Sequence, residues 1–277
     1  MKLKSKRPVA FQGEHGAFSE MAVFSLFGDK IKLEPSNSFF DVFEKVKSGV
    51  CDYGVLPVEN TLGGVVYQVW DLLDEYNLHI ISEIKIKIEQ CLIVNVGTKI
   101  GDIKKVYAHY QAAIQCNEFL RKHKNWIVEN TYDTAGSVKM IKDIQGKNKF
   151  EVAAIASKRA AEIYSMKIIN KSIQDSKENY TRFVVLSSIP VNVGNKITFE
   201  VSIGHKLGSL LEVLEIIKKY KINLTSIHSR PDKNKPFRYN FFLEGIFVKL
   251  PKEFFSEIKK NSEVFKMLGV YSSDLVR

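Results

Sequence analysis

Through its first 186 residues the chain repeats one alternation: a short apolar run, a glycine-bearing turn, then a segment with apolar residues at helical spacing. RPVAFQG (7–13) reads as a strand entering a glycine loop. FSEMAVFSLFG (18–28) reads as a helix, with Phe18, Met21, Ala22 and Ser25 near one face and Gly28 as its stop. Ser38 precedes FFDVFEKVKSG (39–49), where Phe39, Val42, Phe43 and Val46 recur at helical intervals. CDYGVLPV (51–58) is a short buried strand stopped by Pro57. Alternation of this kind predicts an open, largely parallel α/β sheet.

A second unit of the same type follows. EIKIKIEQCLIV (83–94) opens with apolar/polar alternation over Ile84, Ile86 and Ile88 and reads as one long strand able to cross between two lobes. KKVYAHYQA (104–112) is a strand and turn, and QAAIQCNEFLRKH (111–123) a helix. Residues 127–143 and 153–164 each give strand, loop and helix, and SIQDSKENYTRFVVL (172–186) supplies a returning strand. Two α/β lobes joined by two crossing segments bring their loops to one cleft, where ligands of open α/β sheets bind.

At SSIPVNVGNK (187–196) the pattern changes. Strand signals at 197–203, 223–231, 238–247 and 267–273, with helices at 207–221 and 251–265, give the order βαββαβ of a ferredoxin-like domain. The expected division is 7–187 (second sublobe about 88–172), a linker over 188–196, and a further domain over 197–275.

Composition narrows the function classes. The net charge of +10 is carried by dispersed lysines, as in EIIKKYK (215–221), without the aromatic interleaving of an RNA-binding surface. It supports a bias towards acidic small molecules and no nucleic-acid partner. No apolar run is long enough to span a bilayer, and no apolar segment follows the basic N-terminus, so no membrane association and a cytoplasmic location are expected. Cys51, Cys91 and Cys116 are far apart and lack zinc spacing, and read as small core residues. No metal or cofactor fingerprint is present, so none is expected.

Three stretches carry chemistry. In FQGEHGAFSEMA (11–22), Gly13 and Gly16 permit close backbone approach before a helix start, where free N–H groups suit an anion, and Ser19 adds a hydroxyl. In GVLPVENTLGG (54–64), Glu59, Asn60 and Thr61 precede Gly63 and Gly64, whose N–H groups can face an anion. In NYTRFVVL (179–186), an alcohol and a fixed cation stand at the mouth of an apolar strand. Each also has a plain structural reading, as a turn or solvated loop.

Together with AHYQAAIQC, YDTAGSVKMI and AAIASKRAAEIYSMKII, these stretches occur in the order and spacing of prephenate dehydratase, which residues 8–187 resemble. LGSLLEVL and NLTSIHSRP resemble the ACT domain that accompanies it. The resemblance implies a two-lobed, periplasmic-binding-protein-like catalytic domain plus a ferredoxin-like ACT domain, acting without cofactor or metal. It implies conversion of prephenate to phenylpyruvate, water and CO2, feedback control by L-phenylalanine, and a homodimer or homotetramer with the effector site between ACT domains.

By the same resemblance Thr181 assists the leaving hydroxyl. Arg182, Phe183, Ser19, Asn60, Thr61, Gly63, Gly64, Gln111, Thr134 and Ala135 line the substrate site. Arg182 offers a forked donor beside Thr181, and Phe183 serves as ring wall or as core. His109 orders its loop or titrates, and Glu59 anchors a loop. Two positions depart from the family: Tyr110 replaces a proline, and Asp133 replaces a serine, a carboxylate that must point away from a dianionic substrate. Gly208, Ser209, Leu210, Leu211, Asn223, Leu224, His228, Ser229, Arg230 and Pro231 match the effector motifs. His228 stands where glutamate is usual, which implies weaker or pH-dependent phenylalanine control. Arogenate dehydratase and a non-catalytic two-lobed amino-acid sensor are the competing readings; the intact Thr-Arg-Phe run weighs against the sensor.

Overall fold

The computed structural model describes residues 3–204, 206–232 and 235–273. Residues 274 and 275, included in the expected ACT boundary, lie outside them. The chain forms two compact units, Met1–Val66 with Ile84–Phe183, and Tyr67–Glu83 with Val184–Arg277.

The first unit holds two sheets. One is built from β1 (Val9–Gln12), β2 (Leu33–Ser36), β3 (Tyr53–Asn60), β4 (Gly64–Val65), β5 (His79–Lys87) and β11 (Tyr180–Ser187), in the order β2-β1-β3-β11-β5 with β4 on β3. β5 and β11 carry the chain from one unit to the other. β1 runs parallel to β2 and β3, with α1 (Phe18–Phe27) and α2 (Phe39–Lys47) as crossovers. Ser38 and Asp41 form a reciprocal capping box at the start of α2, and Val42, Phe43 and Val46 are buried.

The second sheet has the order β10-β6-β9-β7-β8, from β6 (Cys91–Val94), β7 (Lys105–His109), β8 (Ile127–Thr131), β9 (Val152–Ala156) and β10 (Lys167–Asn170). Its helices are α4 (Tyr110–Gln115), α5 (Asn117–Arg121), α6 (Thr134–Asp143) and α7 (Lys158–Ile163). β7 is parallel to β8 and β9, but β6 is antiparallel to β9 and β10. The sheet is therefore mixed, because β6 enters from a crossing segment and not from a helical crossover.

Several expected boundaries shift. Pro57 does not stop its strand. Pairing of β3 with β1 ends at Val55, so no N–H is required on that side at position 57. The run 83–94 breaks after Lys87, where Ile88 N–H donates to Asn179 O at 2.8 Å and Gln90 N–H to Gln174 Oε1 at 2.9 Å. The inward face of α1 is Ser19, Glu20, Ala22 and Val23, not the Phe18/Met21/Ser25 stripe. Glu20 turns inward because its carboxylate accepts from Gly16 N–H at 2.9 Å and contacts His15 at 2.7 Å. Residues 111–123 form two short helices with Cys116 between them. All three cysteines are buried free thiols, and burial pushes each thiol pKa up, Cys51 to about 11.

The second unit contains β12 (Lys196–Ser202), α8 (Ser209–Lys219), β13 (Asn223–Pro231), β14 (Tyr239–Ile246), α9 (Lys252–Lys260) and β15 (Val264–Tyr271), an antiparallel sheet of order β13-β14-β12-β15. This is the expected βαββαβ order, although α9 stops at Lys260 and β15 begins at Val264. Alternation along β12 sorts its two faces. Ile197, Phe199 and Val201 enter the core against Val213, Ile217, Phe254 and Ile258 of α8 and α9. Lys196, Thr198, Glu200 and Ser202 are buried on the other face. That face meets α3 (Tyr67–Glu75), a helix for which the sequence reading made no provision. Among the described residues no helix is long and apolar enough to cross a membrane.

Candidate active site

The site forms in the first unit where the turn after β3 meets the entry to β11. Asn60 is its organiser and is 7% exposed. Its two amide N–H groups are shared among three acceptors, Asn179 Oδ1 at 2.8 Å, Tyr180 O at 3.1 Å and Thr181 Oγ1 at 3.0 Å. Its amide oxygen accepts from Leu62 N–H at 3.0 Å and Gly63 N–H at 2.7 Å, which closes the turn. Thr181 thus accepts a hydrogen bond from Asn60. A hydroxyl has one proton to give, and that proton remains available for another acceptor.

A buried amide network extends from this point. Gln115 Nε2 lies 3.3 Å from Asn60 Oδ1, and Gln115 Oε1 accepts from Asn179 Nδ2 at 2.9 Å and Gln90 Nε2 at 3.3 Å. Gln90, Gln115 and Asn179 were not foreseen as site residues. They sit in EQC, IQC and NYTRF; Gln90 and Gln115 border the apolar runs CLIV and AAI, whereas Asn179 lies in a polar segment that gave no such signal.

The expected substrate residues do not share one role. Thr61 binds both ends of the neighbouring segment: its hydroxyl donates to Glu178 O at 2.9 Å and accepts from Tyr180 N–H at 3.0 Å. Gly63 gives its N–H to Asn60, while Gly64 takes φ +76° and pairs with Asn60 in the β3–β4 ladder. Gln111 reaches this turn from α4, its Nε2 3.6 Å from where a Cβ on Gly63 would lie. Ser19 and Ala135 are buried, Ala135 within the core beneath the second sheet, and Thr134 is half-buried at the start of α6.

Arg182 is held by a partner of its own. Successive residues of a strand face opposite sides, so Thr181 and Arg182 do not stand side by side. Arg182 is 6% exposed and its Nε donates to Glu59 Oε2 at 3.1 Å. Phe183 is 2% exposed and belongs to the core.

The loop 13–20 is bound to α7 and to the start of α6 within the first unit. Gly16, at φ +93°, lies so near α7 that a Cβ would come 2.6 Å from Ala160 Cα. Ser157 Oγ donates to Gly16 O at 2.6 Å, and Arg159 Nε to Glu20 at 3.1 Å. Asp133 caps α6 by accepting from Gly136 N–H at 3.0 Å, and also accepts from Glu14 N–H at 2.9 Å. Its carboxylate is thereby engaged by the backbone. Burial raises its pKa, opposed by those N–H groups, and burial lowers that of His109, opposed by Asp133.

In the second unit, Gly208, Ser209, Leu210 and Leu211 line a cavity of about 240 Å³ with Lys206, Arg238 and Phe241, among others. Gly208 adopts the left-handed conformation at the N-cap of α8. Asn223, Leu224, His228, Ser229, Arg230 and Pro231 all lie on β13 and not in that lining. The His228 ring packs on Trp70 at 4.5 Å and Phe242 at 5.4 Å, and Arg230 forks Asp71 with two 2.6 Å bonds. The expected effector residues therefore fall into two groups.

Residues 9–190 match the family model for prephenate dehydratase. Arogenate dehydratase/prephenate dehydratase 2 of Arabidopsis thaliana is 39% identical over 238 residues, covering 84% of this chain and 61% of that protein; the chain is thus much shorter than this relative. Two solved structures superpose with TM-scores of 0.86. One is GqqA, described as a quorum-quenching acylase, 26% identical, with 98% of this chain and 100% of that chain covered. The other is a prephenate dehydratase from Arthrobacter aurescens in complex with L-Phe, which at 24% identity, with 98% and 91% covered, shows the shared fold. The chain belongs to the prephenate dehydratase family.

Proposed function

We propose that this chain converts prephenate to phenylpyruvate, and that Thr181 assists departure of the ring hydroxyl. In this reaction the bond to the ring carboxyl carbon breaks and its electron pair enters the ring. The C–O bond breaks at the other end, and the oxygen leaves as water after taking a proton. CO2 loss and aromatisation drive the sequence forward. The supporting observation is the 3.0 Å hydrogen bond from Asn60 to Thr181, which joins the two motif loops and aims the Thr181 proton away from Asn60. General acid assistance of this kind contributes about 10²- to 10⁴-fold. Gln111, Thr134 and Ser19 complete the proposed substrate surface, with Asn60, Gln115 and Asn179 fixing the position of the alcohol.

The architecture we propose is a two-lobed, periplasmic-binding-protein-like catalytic domain over 7–187, a linker over 188–196 and an ACT domain over 197–275. L-phenylalanine is the proposed effector, bound through the cavity at Gly208–Leu211 in a homodimer or homotetramer. A cytoplasmic location completes the proposal.

The test is phenylpyruvate formation from prephenate by the wild type and by Thr181→Ala, with Thr181→Ser as the conservative control. Alanine should lower kcat by about 10²-fold or more, and serine should retain much of it. A folded Thr181→Ala enzyme with undiminished turnover would remove Thr181 from the mechanism. Arogenate dehydration is the second reading, favoured by the description of the plant relative. Parallel kinetics on both substrates separates the two by kcat/KM.

A further inference from the structure

The described part of α3 is gripped on its sheet-facing side along its whole length. Arg230 of β13 lies over the Tyr67 ring, 4.8 Å from its centroid, and forks the Asp71 carboxylate. Trp70, 1% exposed, packs on His228 of β13 and on Phe242 of β14. At the C-terminal end, the Lys266 ammonium of β15 donates to the carbonyls of Leu73 at 2.8 Å, Asp74 at 2.5 Å and Tyr76 at 3.1 Å. A cation on the last carbonyls of a helix answers both their unmet hydrogen-bonding capacity and the helix dipole. All of these contacts lie within the second unit.

The other end of α3 continues directly into the chain of the site. Its first residue, Tyr67, follows β4 after the single residue Val66, and β4 follows the turn that Asn60 closes. A displacement of α3 along its axis has almost no slack to absorb it before Gly63 and Gly64. The residues that hold the front of α3, His228 and Arg230, belong to the HSRP stretch on β13, whereas Gly208–Leu211 line the cavity. One group of expected effector residues thus borders the cavity, and the other holds a helix.

We propose that α3 is the transmission element between the regulatory sheet and the Asn60–Gly64 turn, and that Asp71 is its coupling residue, acting through Arg230. Effector occupancy shifts β13, β13 shifts α3 through the Arg230–Asp71 fork and the Trp70–His228 contact, and α3 resets the turn that positions Thr181. The effector part rests on the reading of the site as a phenylalanine-controlled dehydratase. The mechanical link from Asp71 to the turn does not.

The experiment compares the full-length wild type with Asp71→Asn, which keeps the side-chain shape, and with Glu257→Gln as a control. Glu257 pairs with Lys219 and Tyr220 on the α8/α9 side of the sheet. Hydrogen–deuterium exchange without ligand comes first. In Asp71→Asn the amides of Leu62 and Gly63 should exchange about tenfold faster, with no such change in Glu257→Gln. Unchanged exchange at 62–63 despite faster exchange in α3 would overturn the link. Inhibition of prephenate turnover by L-phenylalanine comes second, with calorimetric binding of the same ligand. Asp71→Asn should bind phenylalanine within about threefold of wild type yet lose about tenfold of the effect on kcat/KM, a typical coupling size. Full inhibition of that variant would overturn the proposal while leaving the dehydratase reading intact. A wild type that forms no phenylpyruvate would overturn that reading instead, and the exchange result would still decide the role of α3.

Discussion

Glu200 offers a prediction that can be worked from burial and charge. It lies on the polar face of β12, is 2% exposed, and has a carboxylate oxygen without a hydrogen-bond partner. Burial raises its pKa from 4.5 to about 8, with Asp74 of α3 adding to the rise and Lys266 and Asn240 opposing it. The unfolded chain releases this proton near the ordinary value, but the native chain holds it until about 8. The native state therefore binds more protons throughout that window, and stability falls as pH rises through it. At about 1.4 kcal/mol per unit, the separation sets a ceiling of about 5 kcal/mol on the cost at pH 8 and above, with nothing lost below the ordinary value. Glu200→Gln mimics the protonated acid at every pH. Thermal melts of wild type and variant should coincide near pH 4.5 and diverge towards pH 8.5, with the variant higher, at about 2–4 °C per kcal/mol for domains of 150–250 residues. Parallel curves across the whole range, or a wild type that gains on the variant with rising pH, would refute the assignment of a protonated Glu200.

Two other substitutions test the packing. Lys196→Met removes the ammonium that pairs with the buried carboxylates of Glu83, at 2.7 Å, and Glu244, at 3.4 Å. It should cost about 3–5 kcal/mol in denaturant unfolding, partly recovered when Glu83→Gln is added; a stable single variant would show that the pair is not desolvated. Gly16→Ala places a methyl group against the backbone of Ala160 in a left-handed conformation. It should cost about 1–3 kcal/mol and raise KM by loosening loop 13–20 from α7, and unaltered melting and kinetics would show that the loop and α7 tolerate separation there.

Much of this molecule could be read from residue order. The capping box at Ser38, the βαββαβ succession after 196, and the buried apolar runs of β9 and β11 follow from local pattern, because period and capping are short-range properties. The motif loops at 54–64 and 179–186 were also legible, and the hydrogen bond between Asn60 and Thr181 joins them across 121 residues. Other features were out of reach. The stretch 67–75 has its apolar residues Val69, Trp70, Leu72 and Leu73 on one side, but its partners lie some 160 residues away on β13.

The sequence by itself determined most of the elements and the family, since these depend on side-chain period, glycine placement and motif spacing. Tertiary structure alone decided that Arg182 turns to Glu59, that Asp133 is occupied by backbone N–H groups, and that His228 and Arg230 hold a helix. The physical reason is that a polar side chain is committed by whichever partner burial brings within about 3 Å, and that partner is set by chain paths no local pattern records.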